Sequence, residues 1–575
     1  MFPHDTEHMF IAEDGAKIAY RAWWPAGVAR RGLILLHRGH EHAGRLAGVA
    51  RALDLAETVV FAWDARGHGL TGGADAVSVT ALVRDLDQLV RVIGEEHGLG
   101  PERLAVMGQS LGAVVAAAWV HDHAPPIRAL VLVTPAFGIR LWVPLARPAL
   151  RLLRRVAPGA RVRSAVRPAM LSRDPAEQAR YAADPLITRD IGLGLLLDVA
   201  DTSLRLIEDA GAIGVPTLVQ TAGADWVVRD GPQRAFFERL GGHPKQFVRY
   251  AGARHGLLHD HAREAAIADA RRFLLEAFDR SAPSPPAAEQ NLGAYHALGR
   301  PLPLRSSRRP FFAGARLVLG TLGRLSEGIT IGRRHGFDSG PSLDHVYRNT
   351  PAGRGPIGRW LDRRYLEQAG WRAIRARKAN LERAVGAAIE ALEAAGRPVR
   401  LLDVACGGGR YVLDVLAALP AGRATAELRD RDPAALEAAR ALARARGIDG
   451  VLVRQASAFD PVAFLTTWPR PTVAIVSGLW ELFPDNPVVQ RSLRLLHATL
   501  ADGGYLIYTN QPWHPQLELI ARVLVTAEGR PWRMRCRPQA EMDALAREAG
   551  FAKRRQWVDD AGIASVTLAQ KAVPA

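Results

Sequence analysis

Five residues, Gly108-Gln109-Ser110-Leu111-Gly112, constrain the first half of this chain more than any other stretch. They follow the apolar run Leu104-Ala105-Val106-Met107 and precede an Ala-rich segment from Gly112 to Val120, so the order reads strand, sharp turn, helix. Small residues flanking the serine let the backbone bend tightly enough to lift the hydroxyl out of the turn, at the N-terminal end of the following helix. A weak hydroxyl of this kind becomes a nucleophile only with a base to take its proton and a carboxylate to hold that base in the right tautomer.

Both partners follow, in the order acid then histidine. The apolar run Pro216 to Thr221 leads into Ala222-Gly223-Ala224-Asp225, and the run Gln246 to Tyr250 leads into Gly252-Ala253-Arg254-His255-Gly256. Each candidate sits in a loop just past a strand. Ser110, His255 and Asp225 therefore read as nucleophile, base and orienting acid. His259 and His261 are rival bases, but they fall in or near the start of the last helix rather than in the loop, which favours His255. An oxyanion hole needs two backbone N–H groups. Leu111, next to the nucleophile, offers one, and the loop His37 to Arg45 after the short strand Leu33–Leu36 offers the other, from Gly39 or Arg38.

The rest of this half alternates short apolar runs with helical patterns. Residues 7 to 24 read as a hairpin around Asp14-Gly15, Thr58 to Trp63 as a strand, and Val79 to Ile93 as a helix. Such alternation argues for an α/β fold with a mostly parallel sheet covered on both faces. The segments HRGHEHAGR, DARGHG, GQSLG, RDPAEQARYAADPL and GARHGLLHD resemble those of the monoacylglycerol lipase and lysophospholipase branch of the α/β-hydrolases, over about residues 8 to 278. The resemblance implies an N-terminal α/β-hydrolase domain at 1–280 with a lid at about 138–205 gating an acyl-chain pocket. Arg38 after His37 departs from the usual His-Gly pair.

At 575 residues the chain is long enough for two to four domains. Its 48% hydrophobic and 23% charged content is ordinary for globular cores. Two cysteines, Cys406 and Cys536, are too few for a disulfide framework or a structural zinc site, and fit a reducing cytoplasm. The stretch Met1 to Glu13 has no basic stem leading into an apolar run, and no window is apolar enough to span a bilayer. A cytoplasmic protein, at most peripheral on a membrane, is expected.

The net charge of +17 is unevenly placed. Between His123 and Arg173 there are ten arginines and no acid, and from Arg300 to Arg400 there are 20 Lys/Arg against 8 Asp/Glu. This distribution favours anionic partners such as lipid headgroups, nucleic acid or acidic substrates, although an Arg-rich composition produces the same excess without function. Within the lid, Ile139 to Arg155 sets Trp142, Val143, Leu145, Leu150, Leu152 and Leu153 among five arginines. That segment suits either an anionic bilayer surface or a lid folded onto its own active site.

Residues 281–310 read as a Pro/Ala/Ser-rich linker, and 311–370 show little periodicity. Trp371 to Ala395 is helical by pattern. A second centre then follows in the domain 311–575. Val399 to Val404 is a strand holding Asp403, and Ala405-Cys406-Gly407-Gly408-Gly409 leads from it into a helix. The strand Thr425 to Leu428 ends in Arg429-Asp430-Arg431-Asp432-Pro433. A glycine-rich turn admits a ligand to the backbone, and an acid closing the second strand can take two ribose hydroxyls. Asp432, ahead of Pro433, suits a helix N-cap, which leaves Asp430 for the ribose.

The segments LLDVACGGGRY, ELRDRDPAALEAA, RQASAFD, VAIVSGLWELFPD, LADGGYLIYT and PQAEMDALAREAGF resemble class I S-adenosylmethionine-dependent methyltransferases over about 370–572, and with 330–370 the methyltransferase domains fused behind α/β-hydrolases. The resemblance implies a Rossmann-like fold, S-adenosylmethionine as cofactor, and Asp403, Ala405, Gly407, Gly409, Asp430, Ser457, Ala458 and Ser477 as cofactor-binding positions. Ala405 replaces the first glycine of the usual G-x-G-x-G, which is tolerable where φ is negative. Spacing also weighs against a dinucleotide. A pyrophosphate needs a third glycine three residues on, and there this sequence offers bulky Tyr411-Val412 or Leu413. Asp403 is placed toward the methionine end, Gly407 and Gly409 under the ribose.

The acceptor side is less constrained, since this fold contributes chiefly proximity. Candidates are Trp480 and Glu481 after the fourth strand, and Asn510, Trp513 and His514 after the fifth. The reading is a two-enzyme chain: a serine ester hydrolase of lipid-type esters and a methyltransferase of a small-molecule or lipid acceptor, with nucleic acid disfavoured. A thioesterase or acyltransferase, a nucleic-acid methyltransferase, and a lipid-binding scaffold with degenerate sites remain the alternatives.

Overall fold

The structure is a computed structural model that describes residues 4–73, 77–140, 146–280, 289–467 and 469–572. The chain divides into two compact units, Met1–Pro286 and Ala287–Ala575.

The first unit is built on β1 (His4–Ile11), β2 (Lys17–Trp24), β3 (Arg31–Leu36), β4 (Thr58–Trp63), β5 (Leu104–Gln109) and β6 (Leu130–Val133). A small antiparallel ribbon, β7 (Arg161–Arg163) with β8 (Asp190–Gly192), precedes β9 (Thr217–Ala222) and β10 (Lys245–Tyr250). The main sheet has eight strands in the order β1-β2-β4-β3-β5-β6-β9-β10. Its first two neighbour pairs are antiparallel and the rest are parallel. In β4 every residue is buried, with Val59, Phe61 and Trp63 packed in one core and Val60 and Ala62 in the other. Helices on both faces bury the central strands β3 to β6, which is why these read in sequence as largely apolar runs.

The expected lid is an insertion between β6 and β9. It carries the helices Ala146–Val156, Pro168–Leu171, Pro175–Ala183 and Leu193–Glu208 besides the ribbon. The last of these is anchored on the core by Leu195, Val199 and Leu206, and by Arg205, whose guanidinium meets Asp122 at 2.5 and 2.9 Å. Trp142, Val143 and Leu145 lie outside the described residues. Beyond them, Leu152 and Val156 are exposed, while Arg147 and Arg151 face Asp201 and Arg154 faces Asp198. No helix among the described residues is long and apolar enough to cross a membrane.

The second unit contains β11 (Val399–Val404), β12 (Ala424–Asp430), β13 (Val451–Gln455), β14 (Val473–Val476), β15 (Tyr505–Asn510), β16 (Phe551–Val558) and β17 (Ser565–Lys571). Their order is β13-β12-β11-β14-β15-β17-β16, with β17 antiparallel to both of its neighbours. A dinucleotide fold runs 3-2-1-4-5-6. Here an extra antiparallel strand enters between the fifth and sixth, and the chain reverses direction across the sheet at β11, the switch point where ligands bind in open α/β sheets.

Two stretches differ from their sequence reading. The second half of the expected linker belongs to the second unit: Arg535 donates to the Gln290 carbonyl at 2.8 Å, Asn291 donates to that of Cys536 at 3.2 Å, and Leu292–Gly299 is a helix. The stretch 311–370, without clear periodicity, is helical through Arg308–Gly320, Glu327–His335, Gly340–Arg348 and Gly355–Leu366. Short helices that pack around Phe337, Val346, Leu366 and Trp532 leave no long apolar stripe to read. Buried Asp362 ties them together, accepting from Ser326 Oγ and the Gly328 and Ala352 N–H groups and meeting His345 Nε2 at 2.9 Å.

Candidate active sites

In the first unit the turn at Ser110 is as tight as its glycines require. Ser110 adopts φ 52° and ψ −108°, a strained conformation for a side-chain-bearing residue. A Cβ on Gly108 would lie 2.5 Å from the Gly112 carbonyl oxygen, and one on Gly112 would lie 2.6 Å from that of His37. These are backbone contacts that no rotamer change relieves, so both positions demand glycine.

The turn brings together the three residues expected from sequence. His255 Nε2 is 2.9 Å from Ser110 Oγ, and Nδ1 is 2.8 Å from Asp225 Oδ2. The other Asp225 oxygen accepts the N–H groups of Val227 and Val228 at 2.7 and 2.9 Å. All three residues are buried. His259 is half-buried and its Nε2 reaches the Arg45 carbonyl at 3.2 Å, and His261 is a half-exposed partner of Asp260. Neither rival stands beside the serine.

Gly39 lies against Leu111, with a Cβ there only 3.9 Å from that of Leu111. The Leu111 N–H is the first of its helix and has no intrahelical acceptor. His37 fixes the loop: Nε2 accepts the Ala65 N–H at 3.0 Å, so Nδ1 carries the proton donated to the Arg38 carbonyl at 2.7 Å. Burial lowers the pKa of this ring and keeps it neutral. The Arg38 side chain turns into a buried ion cluster. It meets Glu41 at 2.6 Å, Glu41 also takes Arg45 at 2.7 Å, and Arg45 pairs with Glu177 of the insertion. Burial alone would raise the Glu41 carboxyl, but the charges of Arg38, His259 and Arg45 more than reverse this and hold it below the usual range.

Asp260 is a supporting residue that sequence reasoning missed. It is 2% exposed, and its oxygens accept the N–H groups of Arg254 and Arg173, each at 2.7 Å. The His255 and Gly256 N–H groups reach the carbonyls of Met170 and Leu171 at 3.4 and 2.8 Å. The base loop is thus laced to the insertion. The only hint was an aspartate five residues past the base, a feature any helix start might carry.

In the second unit the expected cofactor residues converge on the C-terminal edge of the sheet. Asp403 is the fifth residue of β11, Asp430 ends β12, and Ser457 with Ala458 and Ser477 follow β13 and β14. Asp430 Oδ2 accepts the Gly407 N–H at 2.8 Å and Oδ1 that of Asp432 at 2.9 Å, while Asp432 caps the helix Pro433–Ala445 through the Ala434 N–H. Gly407 and Gly409 take φ of 53° and 61°. Ala405 also has positive φ, 58°, so the condition under which an alanine is freely tolerated there is not met. The tight strand-to-loop turn imposes that conformation whether or not a glycine is present, at a cost of about 1–2 kcal/mol.

The residues fit an S-adenosylmethionine-type ligand on two observations. Cβ atoms built on Gly407 and Gly408 would meet nothing within 4 Å, so the turn borders open space. Asp403 is fully buried; Oδ1 accepts the Tyr411 hydroxyl at 2.8 Å and Oδ2 has no partner. Desolvation raises its pKa well above the usual carboxylate range. Tyr411 in this role was not foreseen. On the acceptor side, Trp480 and Asn510 are spent on internal hydrogen bonds to Ser492 and the Arg537 carbonyl. His514 is buried and pushed down to about 4 by desolvation, and Trp513 packs against the small core of Ala373 and Ile563. Glu481 keeps a buried, unpartnered Oε2, and burial raises its pKa.

Known proteins match both halves. A family model described as "Putative methyltransferase" matches residues 270–571, and one described as "Serine aminopeptidase, S33" matches 27–262. The uncharacterized protein YnbC of Escherichia coli K12 is 41% identical over 577 residues, covering 98% of each chain. The monoacylglycerol lipase of Mycolicibacterium smegmatis is 27% identical over 274 residues, 47% of this chain and 97% of that one. The monoacylglycerol lipase structure from Paleococcus ferrophilus superposes with a TM-score of 0.42 at 26% identity, covering 45% of this chain and 99% of the other. With a matched model over more than half its length and a full-length relative, the chain belongs to this methyltransferase family, carrying an α/β-hydrolase domain of the S33 family in front.

Proposed function

We propose that the first unit is a serine ester hydrolase of lipid-type esters bearing one acyl chain. The observation that carries this reading is the imidazole of His255, bridging Ser110 Oγ at 2.9 Å and Asp225 at 2.8 Å. Ser110 Oγ attacks the ester carbonyl carbon while His255 Nε2 takes its proton, and Asp225 stabilises the resulting imidazolium. The N–H groups of Leu111 and Gly39 receive the developing oxyanion. His255 then gives its proton to the departing alcohol, and a water molecule deprotonated by the same nitrogen releases the fatty acid and regenerates the serine. A single-chain lipid ester is consistent with the names of the relatives that match this half. A fluorophosphonate probe tests the reading: wild type should label and Ser110→Ala should not, and equal labelling overturns the triad.

We infer that the second unit transfers a methyl group from S-adenosylmethionine to a small-molecule or lipid acceptor. The cofactor supplies an electrophilic methyl on a cationic sulfur. Asp430 would hold the ribose hydroxyls, the turn Ala405–Gly409 would lie under the ribose, and Asp403 would face the positively charged end. Ser457, Ala458 and Ser477 would complete the cofactor-binding positions. Glu481 is the acceptor-side candidate to receive a proton, since its Oε2 is buried without a partner. Calorimetry with S-adenosylhomocysteine and NADH decides the cofactor: binding of the first alone supports the reading, and binding of NADH alone refutes it.

A further inference from the structure

The helix Arg308–Gly320 of the second unit is anchored on its inner side and apolar on its outer one. Inward, Phe312 is buried with the Arg522 guanidinium 5.7 Å from its ring centre, and Arg308 pairs with Glu518. Outward, the exposed residues between Arg309 and Leu319 are Pro310, Phe311, Ala313, Gly314, Leu317 and Val318, together with Arg316. Arg316 donates to the Arg522 carbonyl at 3.3 Å, so its guanidinium is turned back onto the protein. The rest of that outer surface carries no polar side chain. A surface helix ordinarily sets charge on the side facing water, and one that is apolar all round belongs in a core or against lipid.

The apolar surface continues onto the neighbouring elements. Leu322 stands on the turn Leu322–Leu325, and the helix Gly355–Leu366 begins against that turn, where the Arg354 N–H meets the Leu325 carbonyl at 2.9 Å. This helix buries Gly358, Asp362 and Leu366 and presents Ile357 and Trp360. Phe311, Leu317, Val318, Leu322, Ile357 and Trp360 are each more than half exposed. Exposed apolar side chains gathered in this way mark a surface on which something docks.

The surrounding charge says what the occupant is. From Arg300 to Ser326 there are six arginines and no acid, and Arg359, Arg363 and Arg364 flank Trp360. Nearby acids are already engaged, Glu518 with Arg308 and Arg522, and Glu367 with Arg364. The occupant must therefore be apolar at its centre and anionic at its edge. A second copy paired through this face about a two-fold axis would set arginines on the same arginines. A bilayer with anionic lipids supplies both features, acyl chains for Phe311, Leu317 and Val318 and phosphates for the arginines, with Trp360 at the headgroup level. With 13 residues the helix is too short to span a bilayer and suits the plane of the interface. The insertion helix Ala146–Val156 of the first unit is less suited, because Arg147, Arg151 and Arg154 there face Asp201 and Asp198.

We propose that this face of the second unit is a docking surface for an anionic lipid bilayer, with the helix Arg308–Gly320 lying in the headgroup boundary. The inference is independent of both enzymatic readings.

Cosedimentation of the full-length protein with phosphatidylcholine vesicles, with and without phosphatidylglycerol, tests it. Wild type should partition onto the mixed vesicles at least tenfold more strongly than onto the neutral ones, and less so as salt is raised. Leu317→Ser/Val318→Ser changes two exposed side chains, so its melting temperature should match wild type while its partition coefficient falls at least tenfold. Arg305→Gln/Arg309→Gln/Arg324→Gln should remove the preference for phosphatidylglycerol. Binding that survives in the Leu317/Val318 variant but not in the arginine variant is adsorption by charge alone and overturns the proposal. Loss of binding in Leu152→Ser/Leu153→Ser/Val156→Ser but not in Leu317→Ser/Val318→Ser moves the contact to the first unit and overturns it too. Failure of wild type to bind the mixed vesicles has the same force, as does a wild-type dimer in light scattering that the Leu317/Val318 variant converts to monomer, since the face then belongs to a second copy.

Discussion

Replacing Asp225 with asparagine exchanges one oxygen for an NH₂, and the structure dictates which. Asp225 Oδ1 accepts two backbone N–H groups, from Val227 at 2.7 Å and Val228 at 2.9 Å, while Oδ2 faces His255 Nδ1 at 2.8 Å. In Asp225→Asn the amide carbonyl must stay at the Oδ1 position, because the opposite orientation would turn an NH₂ against two N–H donors, costing about 1–3 kcal/mol for each one left unsatisfied. The NH₂ then points at Nδ1, so His255 offers a lone pair there and carries its proton on Nε2, the nitrogen 2.9 Å from Ser110 Oγ. The base is protonated on the wrong side. A tautomer error of this kind lowers kcat by on the order of 10⁴, about 5.5 kcal/mol of barrier, while the retained backbone hydrogen bonds keep the melting temperature within a few degrees. Initial rates on a short-chain ester, with thermal melting as the fold control, measure both. A variant that folds normally and hydrolyses within tenfold of wild type would show that Asp225 does not orient the base.

Asp430→Ala should weaken S-adenosylhomocysteine binding by about 1.5–3 kcal/mol, a roughly ten- to 150-fold rise in Kd by calorimetry, since charged hydrogen bonds to the ribose go together with the bond that seats the Gly407 N–H. Asp403→Asn should raise the melting temperature of the ligand-free protein at pH 7.5 by a few degrees while weakening cofactor binding. Its folded pKa is raised by desolvation, so the charged form opposes folding at every pH above the usual aspartate value. The gain should shrink as the pH falls through the usual aspartate value of 3.8, below which folded and unfolded states both hold the proton, and melting curves taken from neutral pH down past that value read the slope.

In the first unit, the parts of the site fixed by backbone geometry were open to sequence reasoning and the parts fixed by packing were not. Gly108 and Gly112 announce the Ser110 turn because their Cβ positions are filled by backbone, and Asp225 and His255 follow the strand-like runs of β9 and β10. The choice of Gly39 over Arg38 as the loop residue beside Leu111 was undecidable from sequence, because it depends on where the Arg38 side chain goes. That in turn depends on Glu41 and Arg45, and through Arg45 on Glu177, 132 positions further on. Asp260 was invisible for the same reason: its partners Arg254 and Arg173 are brought together only by the fold.

The second unit gives the opposite lesson at Ala405. By the motif alone, an alanine in place of the first glycine argues for negative φ or for a damaged turn, and neither holds. The residue sits at φ 58° and the turn is still closed, because the flanking N–H groups are bound: Cys406 to the Arg429 carbonyl at 2.9 Å and Gly407 to Asp430 at 2.8 Å. Two hydrogen bonds worth about 1 kcal/mol each offset a left-handed alanine of about 1–2 kcal/mol. The position that must be empty for a ligand is a different one. Open space lies at Gly407 and Gly408, whereas a Cβ on Gly409 would come within 2.7 Å of the Leu428 side chain. The motif therefore separates into two requirements that sequence merges, a backbone that turns and a surface without side chains. The substitution at 405 strains the first and leaves the second untouched.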